Sequence, residues 1–239
     1  MEMSALYITS GLYYNFSYFY LIVPAMIIAL AAQIAVKRAY SKMSAVYSKS
    51  GYSGAQAAAA VLKYYGITDV RIEQCSGKLS DHFDPKNNVI RLSEGVYSST
   101  SIAAIGIACH EAGHAAQHAS SYLPIKIRNS ILPVCRIGSY LGIPLAFAGM
   151  MFSFEPLIFF GLLLYSFIML FQLATLPVEL NASSRALYVI EETGLLRDEE
   201  ELKGAKTVLR SAAFTYVAAL ISSLANLLRF ILIFTRRRD

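Results

Sequence analysis

Two imidazoles four residues apart, with a carboxylate directly after the first, are the side chains of this sequence best placed to do chemistry. They are His110, Glu111 and His114 in "IACHEAGHAAQHAS", residues 107–120. On an α-helix, positions i and i+4 share one face with Cβ atoms about 5–6 Å apart. Both imidazoles can then direct a nitrogen at one Zn²⁺ at about 2.0–2.1 Å. Glu111 lies one residue round the helix, placed to take a proton from a water that the metal activates and pass it to a leaving amine. The H-E-x-x-H pattern is specific because it unites two ligands and a base on one helical turn. The plain alternative is a buried helix with satisfied histidines. It has to explain a carboxylate and three imidazoles in the otherwise uncharged stretch 102–120, where unpaired burial is costly.

A catalytic zinc site wants three protein ligands and one open position. His118 is four residues beyond His114, but three stacked positions on a straight helix span about 12 Å at 1.5 Å rise, too far for one ion. His118 therefore reads as a neighbour of the site or a surface group. His82, in "SDHFDP", can approach from a loop. Glu179, in "PVELNASSRAL", is the stronger candidate. It stands just past Pro177, where an apolar run ends and a new helix is expected to start. The two apolar runs between His114 and Glu179 form a hairpin that returns the chain to the same side. The competing reading of Glu179 is an interfacial carboxylate paired with Arg185. His82, Asp84, Asn88, Ile90, Ser183 and Arg185 are further candidates to support the ligands or to touch substrate.

The elements that must position these residues are mostly apolar. Of the 239 residues 56% are hydrophobic and only 15% charged, against about 25% charged in soluble domains; the mean hydropathy is +0.47. Runs at 17–36, 137–154, 156–176 and 212–234 are each long enough for a roughly 30 Å hydrocarbon core. The composition predicts a mainly α, multi-pass membrane protein with about four transmembrane helices and a small α+β zincin-like catalytic region. The predicted segments are a tail and first span (1–36), a soluble region with the zinc helix (37–130), a transmembrane hairpin (131–176), a helical piece with the third ligand (177–211), and a last span with a basic tail (212–239). Within them, 55–66 reads as a helix stopped by Gly66, and 70–74 and 88–97 as strands joined by a turn. A helix capped near 99–101 runs to about Ser121, and 37–54 reads as a linker.

The net charge of +5 speaks of membrane orientation rather than nucleic acid. Lys37, Arg38, Lys42, Lys49, Lys126, Arg128, Lys206 and Arg210 all flank the predicted spans on the side of the zinc helix. The N-terminal segment and the "SFEP" turn (153–156) carry no lysine or arginine. This predicts a catalytic region in the cytoplasm of a bacterial cell. Only Arg236, Arg237 and Arg238 argue the other way, unless the last segment lies in the interface or re-enters. The first run has no preceding lysine or arginine and is too long for a cleaved signal, and Tyr13, Tyr14, Phe16, Tyr18, Phe19 and Tyr20 suit an interfacial belt. Cys75, Cys109 and Cys135 suggest neither a thiolate zinc site nor a disulfide framework.

Taken together, "DHFDPKNNVIRLSEGVYSSTSIAAIGIACHEAGHAAQHA" and "PVELNASSRAL" resemble the YugP-like bacterial membrane zinc metallopeptidases, over most of the chain. A more distant similarity is to heat-shock-type and CAAX-prenyl-type membrane endopeptidases, which also place a helical hairpin between the H-E-x-x-H helix and a glutamate ligand. In those relatives an aspartate four residues after the glutamate supports the site; here that position is Ser183, with Asn181 between. The resemblance also implies that "NVIRLSEGVY" is the edge strand on which an extended substrate is laid. It implies a Zn²⁺-dependent peptidase acting on a polypeptide or membrane-protein substrate at the bilayer, and no particular sequence of substrate. Two other readings stay open: an intramembrane protease, and a zinc-stabilised scaffold or sensor. Glu111 separates the last of these, because a purely structural site would be closed by four protein groups and has no use for that carboxylate.

Overall fold

The computed structural model describes residues 18–235. Tyr13, Tyr14, Phe16 and Arg236–Arg238 lie outside the described residues. The chain is a mainly α membrane protein with a small three-stranded sheet: α1 Phe19–Ser44, α2 Gly54–Tyr64, β1 Arg71–Cys75, β2 His82–Asp84, β3 Val89–Ser93, α3 Glu94–Tyr97, α4 Ile102–Ala119, α5 Leu123–Met151, α6 Glu155–Thr193 and α7 Glu199–Thr235. Four of these, α1, α5, α6 and α7, are long and apolar enough to cross a membrane.

The chain divides into two compact units. Among the described residues the first comprises 18–31, 131–173 and 217–235. In it α5 and α6 approach closely at small residues: a Cβ on Gly138 would lie 2.2 Å from the Leu164 carbonyl oxygen. Such contacts suit helix association where lipid offers no hydrophobic drive. The Tyr18 hydroxyl donates to the Leu232 carbonyl at 3.3 Å, and Tyr165 and Phe230 meet edge to face.

The second unit, residues 32–130 and 174–216, contains every candidate site residue. Its centre is α4. Ser101 caps that helix, its hydroxyl accepting from the Ala104 N–H at 3.2 Å. Alanines and glycines fill the faces of α4, so neighbouring backbones can come close. Ile105, Cys109, Ala112 and Ala115 are buried against Val61, Ile90, Leu92, Val189 and Ile190 in one core. The loop 45–53 is pinned to the start of α4 by Ile102 N–H on Val46 O and Ser48 N–H on Thr100 O, both 2.9 Å. The same loop is held at its far side by buried Glu201, which accepts from the Lys49 and Arg197 N–H groups at 2.7 and 2.9 Å. Lys49 also pairs with Asp198.

The sheet has the order β1-β3-β2. β3 is parallel to β1, with Ile72 opposite Ile90, and antiparallel to β2, with Phe83 opposite Ile90. This corrects two expectations. The stretch 88–97 is not one strand: Asp81 accepts from the Ser93 N–H at 2.7 Å, and the chain turns into the short helix α3. Nor is β3 an edge; it has a neighbour on each side, and the outer strand on one side is β2, hidden within what reads as a turn. Its period-2 pattern is only three residues long, too short to register as a strand.

Two helices also run past their expected limits. The predicted linker is helical as far as Ser44, since no glycine or proline interrupts it before Gly51. Glu179 does not open a new helix; α6 passes unbroken through Pro177 from Glu155 to Thr193. Proline removes one intrahelical donor, a loss tolerated in long apolar helices where neighbours restore the bonding. The last helix, α7, is continuous from Glu199 to Thr235. By contrast α2 ends near where Gly66, at φ +67°, takes the left-handed conformation that terminates helices.

Candidate metal centre

The side chains of His110 and His114 leave one face of α4, their rings 4.7 Å apart and nearly perpendicular. Glu179 comes from α6. Its Oε2 is 3.3 Å from His110 Nε2 and 3.6 Å from His114 Nε2. One ligating atom from each of the three lies within 4.8 Å of the others. An ion held tetrahedrally at about 2.0–2.1 Å from each donor would separate the donors by about 3.3–3.4 Å; the His110 distance of 3.3 Å matches this and the His114 distance of 3.6 Å is slightly longer. The other ring nitrogens are already used. His110 Nδ1 is 3.1 Å from the Ser183 hydroxyl, and His114 Nδ1 is 3.0 Å from Gln117 Oε1. Partners on Nδ1 turn both Nε2 atoms inward, the arrangement by which ligating histidines are commonly oriented.

The supporting shell continues outward. Gln117, fully buried, donates from Nε2 to the Val178 carbonyl at 2.7 Å and to Asn181 Oδ1 at 3.0 Å, tying α4 to α6 beside the ligands. Arg185 donates to the same Asn181 Oδ1 at 2.9 Å and lies over the Tyr65 and Tyr122 rings. It is Arg128, not Arg185, that faces Glu179: its guanidinium is 3.7 Å from Oε1. Burial opposes a proton on His114, yet the hydrogen bond to Glu179 and the charges of Glu111 and Glu179 outweigh it and raise the imidazole above its ordinary range. A site so electronegative favours a cation.

Glu111 stands beside this group without being part of it. Nearly buried, its Oε2 accepts from the Phe83 N–H at 3.0 Å. Because Phe83 spends its N–H on Glu111, β2 turns that donor away from β3 and toward α4. The carboxylate is thereby held in one orientation next to the three converging donors.

The remaining candidates lie elsewhere. His82 is exposed, its Nδ1 2.7 Å from the Ser80 carbonyl. Exposed His118 meets the Phe83 ring edge to face. Asp84 organises the β2–β3 turn, and hydrogen bonds from Asn87 and Arg91 hold its carboxyl well below the usual carboxylate range. Asn88, at φ +48°, completes that turn and donates to Asp69 at 3.2 Å. Ile90 is fully buried in the core on β3. None of these five belongs to the metal group. Sequence reasoning missed Gln117, Arg128 and the Phe83 N–H. Gln117 had a signal, since it lies three residues after His114 on the same helical face; the other two depend on tertiary proximity.

The approach of α6 to α4 is tight at Gly113. A Cβ on Gly113 would lie 2.6 Å from the Ala182 carbonyl oxygen, a backbone atom that cannot yield alone. Gly113→Ala should therefore displace α6, and Glu179 and Ser183 with it. We expect zinc affinity to fall by about 10–100-fold, the range seen when groups that orient ligands are lost. Competition with a fluorescent chelator measures this; an unchanged affinity would mean that the helix contact does not set the ligand geometry.

Comparison with known proteins agrees with this geometry. The family described as "putative neutral zinc metallopeptidase" matches residues 18–235. The chain is 44% identical over 222 residues to a protein of Bacillus subtilis (strain 168) described as "Putative membrane protease YugP", covering 93% of this chain and 98% of that one. No solved structure matches. With the match spanning both membrane helices and metal group, the chain belongs to this zinc metallopeptidase family.

Proposed function

We propose that the protein is a membrane-anchored, zinc-dependent endopeptidase that cuts polypeptides at the cytoplasmic surface of a bacterial membrane. The observation that carries this reading is the convergence of His110, His114 and Glu179 with the fixed Glu111 carboxylate beside them. His110 and His114 would hold the ion through Nε2, and Glu179 through a carboxylate oxygen. When bound, zinc supplies a Lewis acid that polarises the scissile carbonyl and acidifies water. Glu111 accepts a proton from the attacking water as oxygen adds to the carbonyl carbon. It then returns that proton to the nitrogen as the C–N bond breaks, so the amine leaves neutral. The Phe83 N–H keeps Glu111 aimed, Ser183 and Gln117 keep both imidazoles in the ligating tautomer, and Arg128 balances the negative charge of Glu179. A scaffold or sensor site is disfavoured by the same arrangement, because Glu111 sits beside the three donors as a base rather than closing them as a fourth.

The test is metal removal from the purified full-length protein in proteoliposomes, with casein as the reporter polypeptide. A strong zinc chelator should abolish cleavage, and added Zn²⁺ should restore it. Cleavage that persists in protein shown to be zinc-free would reject the mechanism.

The cytoplasmic placement rests on the lysines and arginines that flank α1, α5 and α7 on the side of the zinc helix. Cysteines introduced at the exposed positions Lys86 and Glu200, in a background lacking the native three, should resist a membrane-impermeant thiol reagent in intact cells. They should react once the membrane is opened. Labelling of intact cells would place the site outside.

A further inference from the structure

A cavity of about 920 Å³ opens onto the metal group, and its walls belong wholly to the second unit. His110, Glu111 and Glu179 are at one part of its lining. Much of the rest is apolar: Ile34 and Val36 from α1, and Val208, Leu209, Ala212 and Ala213 from α7. In the sequence, residues 33–36 close the first apolar run and 212–216 open the last. The wall that leads to Glu111 is thus built from the site-side ends of two membrane-crossing segments. An occupant of this wall comes from the level where those segments leave the bilayer.

The lining is not uniformly apolar. Gln33, Lys37, Ser41 and Asp81 interrupt it with hydrogen-bonding groups. A peptide backbone offers partners to such groups, and an acyl chain does not. The volume is at the upper end of the roughly 300–1,000 Å³ typical of ligand sites, room for several residues of extended chain.

From these features we propose that the cavity receives the juxtamembrane segment of a membrane-anchored polypeptide. The bond cut lies a short way outside the substrate's own transmembrane segment, with apolar residues between the anchor and that bond. This rests on the endopeptidase reading and adds a substrate class to it. Soluble polypeptides such as casein are then cut, but more slowly than anchored ones, because nothing delivers their apolar residues to the α1–α7 wall.

The test uses the full-length Glu111→Gln protein in phosphatidylethanolamine–phosphatidylglycerol vesicles, with photoreactive benzoylphenylalanine in place of Val36, or of Ile34 as a second site. The same group in place of Arg38, exposed and outside the lining, is the control. Zinc content shows which variants have folded. The probe is a synthetic peptide with one apolar span of about 20 residues followed by a short apolar juxtamembrane stretch. A second peptide replaces that stretch by Gly and Ser, a third keeps the stretch without the span, and a photoreactive phospholipid is the fourth arm. The first peptide should crosslink at Val36 and Ile34 several-fold above the second and third, and above the control position. Equal crosslinking by the unanchored peptide, or crosslinking by the phospholipid alone, overturns the proposal. Because crosslinking needs no hydrolysis, the two readings fail separately. Crosslinking of the first peptide while the wild-type protein leaves it intact rejects proteolysis and keeps the docking site. Cleavage without crosslinking at either position rejects the docking site and keeps proteolysis.

Discussion

Glu111→Gln is expected to retain one zinc per chain and to lose about 10²–10⁴-fold in kcat, the contribution typical of a positioned general base. Glutamine keeps the size of the side chain, and its carbonyl oxygen can still accept from the Phe83 N–H, so the local fold has no reason to change. What it lacks is a lone pair basic enough to take a proton from water. The three ligating groups are untouched, so the metal stays. Zinc determination on the purified variant, beside initial rates of casein cleavage, measures both quantities at once. A zinc-loaded variant with undiminished turnover would remove Glu111 from the chemistry and leave the metal group without a base.

The second large effect concerns the metal itself. Glu179→Ala, His110→Ala and His114→Ala should each weaken zinc by more than the roughly 10–100-fold that loss of an orienting partner costs, because two ligands hold the ion poorly. Glu179→Ala carries a further consequence. It leaves Arg128 facing two imidazoles with no carboxylate between them, so the vacated site repels a cation as well as lacking a donor. His118→Ala, in contrast, should keep full zinc content, since that ring is exposed and meets Phe83 edge to face. Dialysis against a graded series of zinc buffers distinguishes the four variants. Zinc lost with His118 and kept without Glu179 would reverse the assignment.

The parts of this molecule legible in the sequence are those encoded by short-range patterns. The zinc helix announced itself through i, i+4 spacing and a serine cap, and the membrane helices through uninterrupted apolar length. Glu179 was reachable only by topology, from a hairpin that must bring the chain back. The strand order was not reachable. β2 has three residues, and its importance lies in one backbone N–H that meets Glu111, which no side-chain pattern encodes. The helix through Pro177 shows the opposite error. A local signal for a break is overridden because the helix is anchored at Val178, Ala182 and Val189, all fully buried. Arg128 was counted for orientation at the membrane, and its nearness to Glu179 gives the same residue a second charge to answer.

The separation of His114 from Glu179 along the chain has a consequence for biosynthesis. Sixty-four residues lie between them, and most form the two apolar helices α5 and α6. At about 5–20 residues per second of translation, roughly 3–13 s pass between synthesis of the first two ligands and the third. During that interval the hairpin has to enter the bilayer before α6 can bring Glu179 back. The growing chain therefore carries Glu111 and two of the three candidate ligands while it is next to the insertion machinery, without the third. On the proposed reading, completion of the membrane topology is the step that arms the site.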